Sequence, residues 1–347
     1  MTAEGNEWNV LVYSGGEIMG DGLNKLAFLR ALRRAWPNAH VTWFAGNGPS
    51  VYARKLAPTV DGLIDELVEA ERGDERWTNV LRPRLHRRHF NIIIDTQRKL
   101  RATAELKRTP HDLLVSAAAN GALSERRAPG QPWRAGTPEH FGRQLIQLLA
   151  LARYGRVDGP VDPSGSVNVP KRCEHAATRL LDEPSAVALA PGAGGASKRW
   201  PLDNFAAIGR RLVDAGYRPV FVLGPDETAL RQTLVEAVPE AVFPLQAAAA
   251  DELADEPFLT MAVAKRCLGA VANDSGVGHI LAATGIPMIT LFGPTNAAKF
   301  APSTANVVCL RAQSFGGRSM AAIPVEAVWR DLAHLLEASS TQKLAEA

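Results

Sequence analysis

The sequence has few cysteines and no long apolar run. Its three cysteines, Cys173, Cys267 and Cys309, lie far apart and match neither a disulfide framework nor the spacing of a zinc site, which favours a reducing compartment. No apolar run approaches the roughly 20 residues of a membrane-spanning helix, and the first residues do not resemble a signal peptide. We therefore expect a cytoplasmic protein whose contact with a membrane, if it has one, is peripheral.

A strong net charge is also absent. The formal net charge is +3, which is too small to indicate nucleic-acid binding, and we expect no nucleic-acid partner. The basic residues are concentrated between Arg72 and Arg108, a segment with eleven basic and four acidic residues. A solvated helix face would explain this segment, and so would a surface that binds an anionic acceptor or a membrane. The sequence leaves both explanations open.

Three motifs of common nucleotide-binding enzymes are missing. No Lys-Ser or Lys-Thr completes a Walker loop, no complete Gly-X-Gly-X-X-Gly follows an opening strand, and no Asp-X-Asp pair occurs. The first two absences argue against a P-loop NTPase and an NAD-dependent dehydrogenase. The third argues against a diphosphate held by a metal ion. We expect neither a metal nor a cofactor.

Apolar strand patterns alternate with helical patterns along the whole chain. In the first half the patterns predict strands at 9–13, 40–45, 63–68, 90–95 and 113–116, and helices at 23–36 and 138–154. In the second half they predict strands at 186–190, 219–223, 241–243, 268–272 and 287–292, and helices at 202–215, 227–237, 257–266, 276–283 and 325–338. Such alternation is typical of an α/β fold with doubly wound parallel sheets.

The segment 155–170, GRVDGPVDPSGSVNVP, separates the two halves. It is rich in Gly, Pro, Asp and Ser, as interdomain linkers are. We therefore expect one domain at 1–160 and a second at 161–323, followed by a helix and a tail over 324–347. The two domains are expected to face each other across a cleft.

The stretch 273–295 carries the strongest functional signal. A polar glycine turn between a strand and a helix points the N–H groups of the helix start at the C-terminal edge of a parallel sheet, where an anion can bind. The turn residues are Asp274, Ser275, Gly276 and His279. Helix capping by Asp274 or Ser275, with His279 as an ordinary first-turn histidine, is the alternative.

Two further turns of the second half should open on the same edge. The turn 190–201, APGAGGASKRWP, brings glycines close to a phosphate and adds the charges of Lys198 and Arg199, although it could be a plain turn. The carboxylates of 223–227, LGPDE, could hold a ribose or cap a helix.

In the first half, the turn 14–21, SGGEIMGD, contains Glu17 and Asp21. A carboxylate at the edge of a sheet can take a proton from a hydroxyl group. An aspartate before a helical pattern is also a common N-cap. Both interpretations of Asp21 are compatible with the residues alone.

Together these turns resemble glycosyltransferase family 9, the heptosyltransferases of lipopolysaccharide inner-core assembly. The resemblance covers most of the chain and rests, in order, on the segments 17–21, 29–43, 94–97 (IDTQ), 191–201 (with KRWP), 273–279 and 291–295 (LFGPT). It implies a GT-B architecture with two Rossmann-like domains, the first for the acceptor and the second for the nucleotide sugar. It also implies that the last helix crosses back to the first domain.

The resemblance further implies an inverting, metal-independent transfer. The donor would be a nucleotide sugar, ADP-heptose in the family, and the acceptor a glycan or lipopolysaccharide core, with peripheral contact to the inner membrane left open. By position, Asp21 matches the proposed general base and Lys198 the diphosphate-binding lysine. The expected donor-binding residues are Gly192, Ala193, Lys198, Gly224, Glu227, Asp274, Ser275, Gly276, His279 and Thr295. The expected acceptor-binding residues are Ser14, Gly20, Asp95, Gln97 and Arg98.

Two other functions fit the same sequence. One is a different GT-B activity, such as a nucleotide-sugar epimerase or a transferase with another donor or acceptor. The other is a non-catalytic homologue that binds a nucleotide or a glycan. Turnover with a panel of nucleotide sugars separates these possibilities.

Overall fold

The computed structural model describes residues 8–46, 48–70, 85, 87–127, 140–162, 166–248, 253, 257–302, 304 and 306–346. The chain divides into two compact units, residues 1–165 and 166–347. Each unit is built on a parallel five-stranded sheet. The expected α/β fold with two parallel sheets is therefore confirmed.

The first unit contains a sheet of order β3-β2-β1-β4-β5. Its strands are β1 (Asn9–Tyr13), β2 (His40–Ala45), β3 (Glu66–Glu69), β4 (Phe90–Asp95) and β5 (His111–Ser116), and its helices are α1 (Met19–Ala35), α2 (Leu100–Leu106) and α3 (Phe141–Tyr154). The central strands are almost entirely buried, as expected for a parallel sheet that is covered on both faces.

The strand order of this sheet reverses between β1 and β4. The two strands are paired in parallel with Tyr13 opposite Asp95, so the chain leaves both of them at the same level. From here the chain continues from β1 to β2 in one direction along the sheet and from β4 to β5 in the other, and the crevice at the carboxyl ends of such a switch point is the usual ligand site of open α/β sheets. Ser14–Asp21 and Gln97–Arg98 begin at this crevice.

The second unit contains a sheet of order β10-β9-β8-β6-β7. Its strands are β6 (Ala186–Ala190), β7 (Arg218–Phe221), β8 (Gly269–Asn273), β9 (Met288–Phe292) and β10 (Val307–Arg311). Its helices are α4 (Lys171–Leu180), α5 (Leu202–Asp214), α6 (Arg231–Ala237), α7 (Pro244–Ala247), α8 (Pro257–Arg266), α9 (Gly276–Ala282), α10 (Ala297–Phe300) and α11 (Val325–Glu346). Here the order reverses between β6 and β8, which pair with Ala190 opposite Ala272.

The last helix, α11, packs within the second unit. It contacts α5, β8 and β9, and its Val328, Leu332 and Leu336 are part of the core of that unit. Its expected return to the first domain stays a prediction.

Three element predictions were wrong. Helix α1 begins at Met19 rather than at Leu23 because Gly15 and Gly16, with φ of +79° and +93°, complete the turn early. Residues 241–243 form a single bridge, Val220 to Val242, because prolines on both sides limit the ladder. The helix expected from Glu227 begins at Arg231, after a 3-10 turn over Pro225–Leu230.

Candidate active site

A charged cluster lies at the crevice between β6 and β8. Lys198 Nζ is 2.9 Å from Asp274 Oδ2, and the Thr295 hydroxyl donates to the same oxygen at 2.7 Å. The Asp274 side chain is 7% exposed and that of Lys198 is 36% exposed, so the carboxylate is fixed inside while the ammonium group reaches the surface. The structure thus brings together three of the expected donor-binding residues from three separate loops.

The loop that carries Lys198 is held by residues that lie within the sequence motifs but had not been given a supporting role. The buried Asn273 side chain accepts from the Trp200 backbone N–H at 3.1 Å and donates to the Pro191 carbonyl at 2.7 Å. Trp200 is buried, and its indole N–H donates to the Ile323 carbonyl at 2.9 Å. Arg199 donates to the Ala193 carbonyl through Nε at 3.2 Å and Nη2 at 3.1 Å. These bonds position the loop, and those of Asn273 and Trp200 join residues far apart in sequence.

The sequence allowed either Asp274 or Ser275 to cap α9, and in the structure Ser275 does so. Ser275 is the N-cap, and its Oγ accepts from the Gly278 N–H at 3.1 Å. Asp274 is therefore released from capping and is available to Lys198. Gly278 has no room for a side chain, because a Cβ there would lie 2.8 Å from the Asn273 carbonyl oxygen. Gly276 and His279 follow within the first turn of the same helix.

Glu227 lies between the loops that follow β6 and β7. A Cβ at Gly192 would lie 2.6 Å from the Glu227 carboxyl carbon, and a Cβ at Gly224 would lie 2.7 Å from its Oε2. Both positions therefore require glycine if the half-buried carboxylate is to stay where it is. The structure brings these three expected donor-binding residues together as well.

In the first unit, Asp21 lies in the first turn of α1 and is half-buried. It is not the N-cap, since Ile18 holds that position without a side-chain bond, so the capping interpretation is wrong. Within the described part of the chain, no side chain donates a hydrogen bond or forms an ion pair with its carboxylate. Gly20, one residue earlier, is buried in the helix.

Glu17 and Lys25 form a buried ion pair beside Asp21. Lys25 Nζ lies 3.1 Å from Glu17 Oε1 and donates to Ser14 Oγ at 2.6 Å. Glu17 was noticed in the sequence as a second carboxylate of its turn, whereas Lys25 was missed because it resembles any other charge on a helix. Its burial could not be inferred from the pattern of α1.

The residues expected to bind an acceptor differ in exposure. Asp95 and Ser14 are buried, and the Gln97 side chain donates to the Ser14 carbonyl at 2.5 Å, which ties the loops after β1 and β4 together. Gln97 is half-buried and Arg98 is exposed. Gln97 and Arg98 are thus the members of this set with accessible side chains, and contact of all five with an acceptor stays a prediction.

The buried Asp95 carboxylate is fully engaged. Its Oδ1 accepts from the Gln97 backbone N–H at 2.9 Å, and its Oδ2 accepts from the hydroxyls of Thr103 at 2.6 Å and Ser116 at 2.7 Å. Burial raises the pKa of Asp95 to about 6 in spite of these hydrogen bonds, which oppose the shift. Because the pKa is higher in the folded chain than the ordinary value of 3.8, the ionised group destabilises the fold above the raised pKa.

We expect Asp95→Asn to raise the unfolding midpoint at pH 7.5, with a gain that shrinks as the pH falls towards 4. The folded chain holds the proton more tightly, so wild-type stability falls as the pH rises through this window, by at most about 3 kcal/mol for this group. Thermal unfolding of both proteins at pH 7.5 and at pH 4 measures the gain. Asp65→Asn is the control, for which the expected change in the unfolding midpoint has the opposite sign. Burial raises the pKa of Asp65, but hydrogen bonds from Val41 and Arg33 outweigh that effect and lower the pKa. A gain that does not depend on pH would contradict the prediction.

The basic segment 72–108 falls only partly within the described residues, because 71–84 and 86 lie outside them. In its described part, Arg98, Lys99 and Arg101 are exposed near the start of α2, whereas Arg108 pairs with Glu105 at 2.8 Å. No helix in the described part of the chain is both long and apolar enough to cross a membrane. Among the same residues, no three His, Cys, Asp or Glu side chains gather as metal ligands would.

Among the known proteins that this chain resembles are a curated heptosyltransferase and two solved structures. Lipooligosaccharide heptosyltransferase 2 of Haemophilus influenzae is 32% identical over 139 residues, 39% of either chain, so the match spans about two fifths of that protein. A family 9 glycosyl transferase from Veillonella parvula superposes with a TM-score of 0.69 at 20% identity, covering 95% of this chain and 97% of that one. The E. coli ADP-heptose lps heptosyltransferase II gives a TM-score of 0.67 at 19% identity, covering 96% and 99%.

The two structural matches show that the fold is shared along nearly the whole chain. The model of glycosyltransferase family 9 (heptosyltransferase) matches residues 79–319, which is well over half of the sequence and includes the loops of Lys198, Glu227 and Asp274. The chain therefore belongs to glycosyltransferase family 9, as its motifs indicated.

Proposed function

We propose that this protein transfers a heptose, with inversion, from ADP-heptose to a hydroxyl group of a lipopolysaccharide-core acceptor. The observation that carries the proposal is the cluster of Lys198, Asp274 and Thr295 at the crevice between β6 and β8 of a family 9 chain. The choice of sugar and nucleotide follows the names of the relatives, a heptosyltransferase and an ADP-heptose enzyme.

The cluster suits a diphosphate because of how its charges are arranged. The buried Asp274 holds Lys198 at one position, and within the described residues the ammonium group uses one of its three N–H groups for that bond. The remaining donors can meet a phosphate without reorganising first. The N–H groups of Ser275 and Gly276, at the start of α9, add positive potential. Preorganised donors of this kind stabilise charge that builds on a leaving group.

Glu227 is the proposed partner of the nucleoside. Its carboxylate accepts hydrogen bonds only, and it packs against Gly192 and Gly224, where a Cβ would displace it. Ribose hydroxyls are the donors that such a group would bind. Ala193 would contact the donor through the backbone of the same loop.

Asp21 is the proposed general base. In the reaction it would take the proton of the acceptor hydroxyl while that oxygen attacks the anomeric carbon, opposite to the departing diphosphate, and this single displacement inverts the anomeric configuration. The first unit would supply the base and the second would bind the donor. Its lack of a bonded partner among the described residues leaves the carboxylate able to accept a proton.

We place the reaction in the cytoplasm, at the inner face of the inner membrane. Arg98, Lys99 and Arg101 are exposed at the same sheet edge as Asp21 and would contact an anionic acceptor or the headgroups around it. Gln97 and Arg98 would then be acceptor contacts as well.

A panel of nucleotide sugars tests the function. ADP-, GDP- and UDP-sugars are first compared in thermal unfolding. A donor that binds only the folded chain raises the midpoint, because at 100 times its Kd it adds about 2.7 kcal/mol to the free energy of unfolding. ADP-heptose is then incubated with lipopolysaccharide whose core lacks heptose, and release of ADP is followed together with the mass and anomeric configuration of the product. We expect stabilisation by ADP-heptose and transfer with inversion.

Each other result has a defined meaning. Stabilisation without transfer would favour a non-catalytic homologue. Turnover with a different nucleotide sugar, or epimerisation of the donor, would replace the proposed reaction. Retention of configuration would exclude Asp21 as the base of a single displacement.

A further inference from the structure

The Glu17–Lys25 pair lies at the centre of a buried network of hydrogen-bonded side chains. Glu17 Oε1 accepts from Lys25 Nζ at 3.1 Å, from the indole N–H of Trp43 at 3.2 Å and from the hydroxyl of Ser14. Its Oε2 accepts from the Ser50 hydroxyl. The side chains of Glu17 and Lys25 are 0% and 2% exposed. Within this network, α1 contributes Lys25 alone, and the other members come from β2 and from the loops after β1 and β2.

Stability alone does not account for this pair. Removing two charges from water costs as much as their attraction returns, so an apolar pair of similar size usually serves a core as well or better. Lys25 Nζ also lies 5.7 Å from the ring centroids of both Trp43 and Phe141, so an apolar side chain of similar length would still have rings to pack against. Unlike an apolar pair, the ion pair ties the start of α1 to the loop that precedes the helix.

In the sequence, Asp21 lies midway between Glu17 and Lys25. It follows Glu17 by four residues and precedes Lys25 by four, so Asp21 and Lys25 share one face of α1, one turn apart. Tyr52 provides a second link, since its hydroxyl donates to the Gly22 carbonyl at 2.6 Å and its ring packs edge-on against Trp43 at 5.4 Å. The charges of Glu17 and Asp21 both act on this phenol, where burial is the main reason for its raised pKa.

We propose that Glu17 and Lys25 are positioning residues that hold the Asp21 carboxylate in place for proton transfer. The inference rests on the proposed role of Asp21 as general base. A misplacement of about 1 Å can cost on the order of 100-fold in rate, so a rigid first turn of α1 is required of such a base. As an ion pair, the two residues also provide this anchor without adding net charge next to the base.

The test uses Glu17→Gln combined with Lys25→Met. With glutamine at position 17, the amide oxygen can still accept from Trp43 while the NH2 group donates to the Ser50 hydroxyl, so the change removes both charges and the tie to α1 while leaving no unpaired charge in the core. We expect kcat to fall about 10- to 100-fold while the donor Kd and the unfolding midpoint stay near their wild-type values. Glu66→Gln with Arg88→Met is the matched control: this pair, 2.5 Å apart, lies at the amino end of β3, and its loss should leave kcat unchanged.

A purely structural role is distinguished by repeating the change in an Asp21→Asn background. Positioning through Asp21 predicts little further loss there, whereas independent effects would multiply. Equal losses in the two backgrounds, or a wild-type kcat in the folded double variant, would overturn the inference. If Asp21→Asn itself keeps full turnover, the general-base proposal fails instead.

A milder variant covers the case in which the double variant does not fold. Ser50→Ala keeps both charges and removes the donor to Glu17 Oε2, together with the bond that Ser50 Oγ accepts from the Tyr52 backbone N–H at 3.2 Å. It should lower kcat several-fold, again with no further loss in the Asp21→Asn background. An unchanged kcat in folded Ser50→Ala, together with a double variant that cannot fold, would show that the network serves stability and would reject the positioning role.

Discussion

Asp21→Asn should lower turnover by about 100- to 10,000-fold while the donor binds as in the wild type. The asparagine keeps the size and polarity of the side chain but cannot take a proton from the acceptor hydroxyl. Because the donor loops belong to the second unit, donor affinity should not change. Single-turnover transfer and the thermal shift given by the donor measure the two effects separately.

Asp203→Asn is the matched control for this experiment. Asp203 is also an acidic residue in the first turn of a helix, α5, and it is exposed. Both substitutions remove the favourable interaction of a carboxylate with a helix N-terminus, worth about 0.3–1 kcal/mol of stability. Only Asp21→Asn should affect turnover. Most of the wild-type rate remaining in Asp21→Asn would refute the base assignment.

The buried strands were the elements best predicted from the sequence. The structure has β1, β2, β4 and β6 at the predicted residues, because strands covered on both faces are continuous apolar runs bounded by polar turns. No predicted strand corresponds to β10 at the sheet edge, where Val307–Arg311 is half-exposed and its pattern is correspondingly weak. The early start of α1 was missed for a related reason, since Ile18 gives no capping signal and glycines at 20 and 22 weaken the helical pattern.

The site was predictable where it depends on the ends of strands. Parallel strands present their carboxyl ends at one edge, so turns after successive strands could be grouped from the order of the elements alone, and Lys198 and Asp274 do meet there. The supporting residues could not be found in this way. Trp200 is bonded to Ile323, 123 residues away, and Lys25 owes its role to burial among rings from other elements.

Lys198→Met should lower kcat by about 100- to 1,000-fold and weaken donor binding. The methionine keeps most of the apolar stem but removes the charge that would meet the diphosphate in the ground state and, more strongly, as the leaving group develops. Since Asp274 keeps its hydrogen bond from Thr295, the loop should remain folded. Lys265→Met is the control, because Lys265 is similarly exposed, at 38%, and also pairs with a carboxylate of the second unit, Glu174.

The ligand dependence of the Lys198 effect decides what the lysine binds. If it neutralises the diphosphate, Lys198→Met loses affinity for ADP but not for adenosine, and the loss in kcat exceeds the loss in donor affinity because charge on the phosphates grows towards the transition state. Equal losses of affinity for ADP and adenosine would mean that Lys198 maintains the conformation of its loop and does not bind the diphosphate. A normal kcat with a raised KM would show that it binds ground and transition states alike, so that leaving-group stabilisation has to come from the N–H groups at the start of α9.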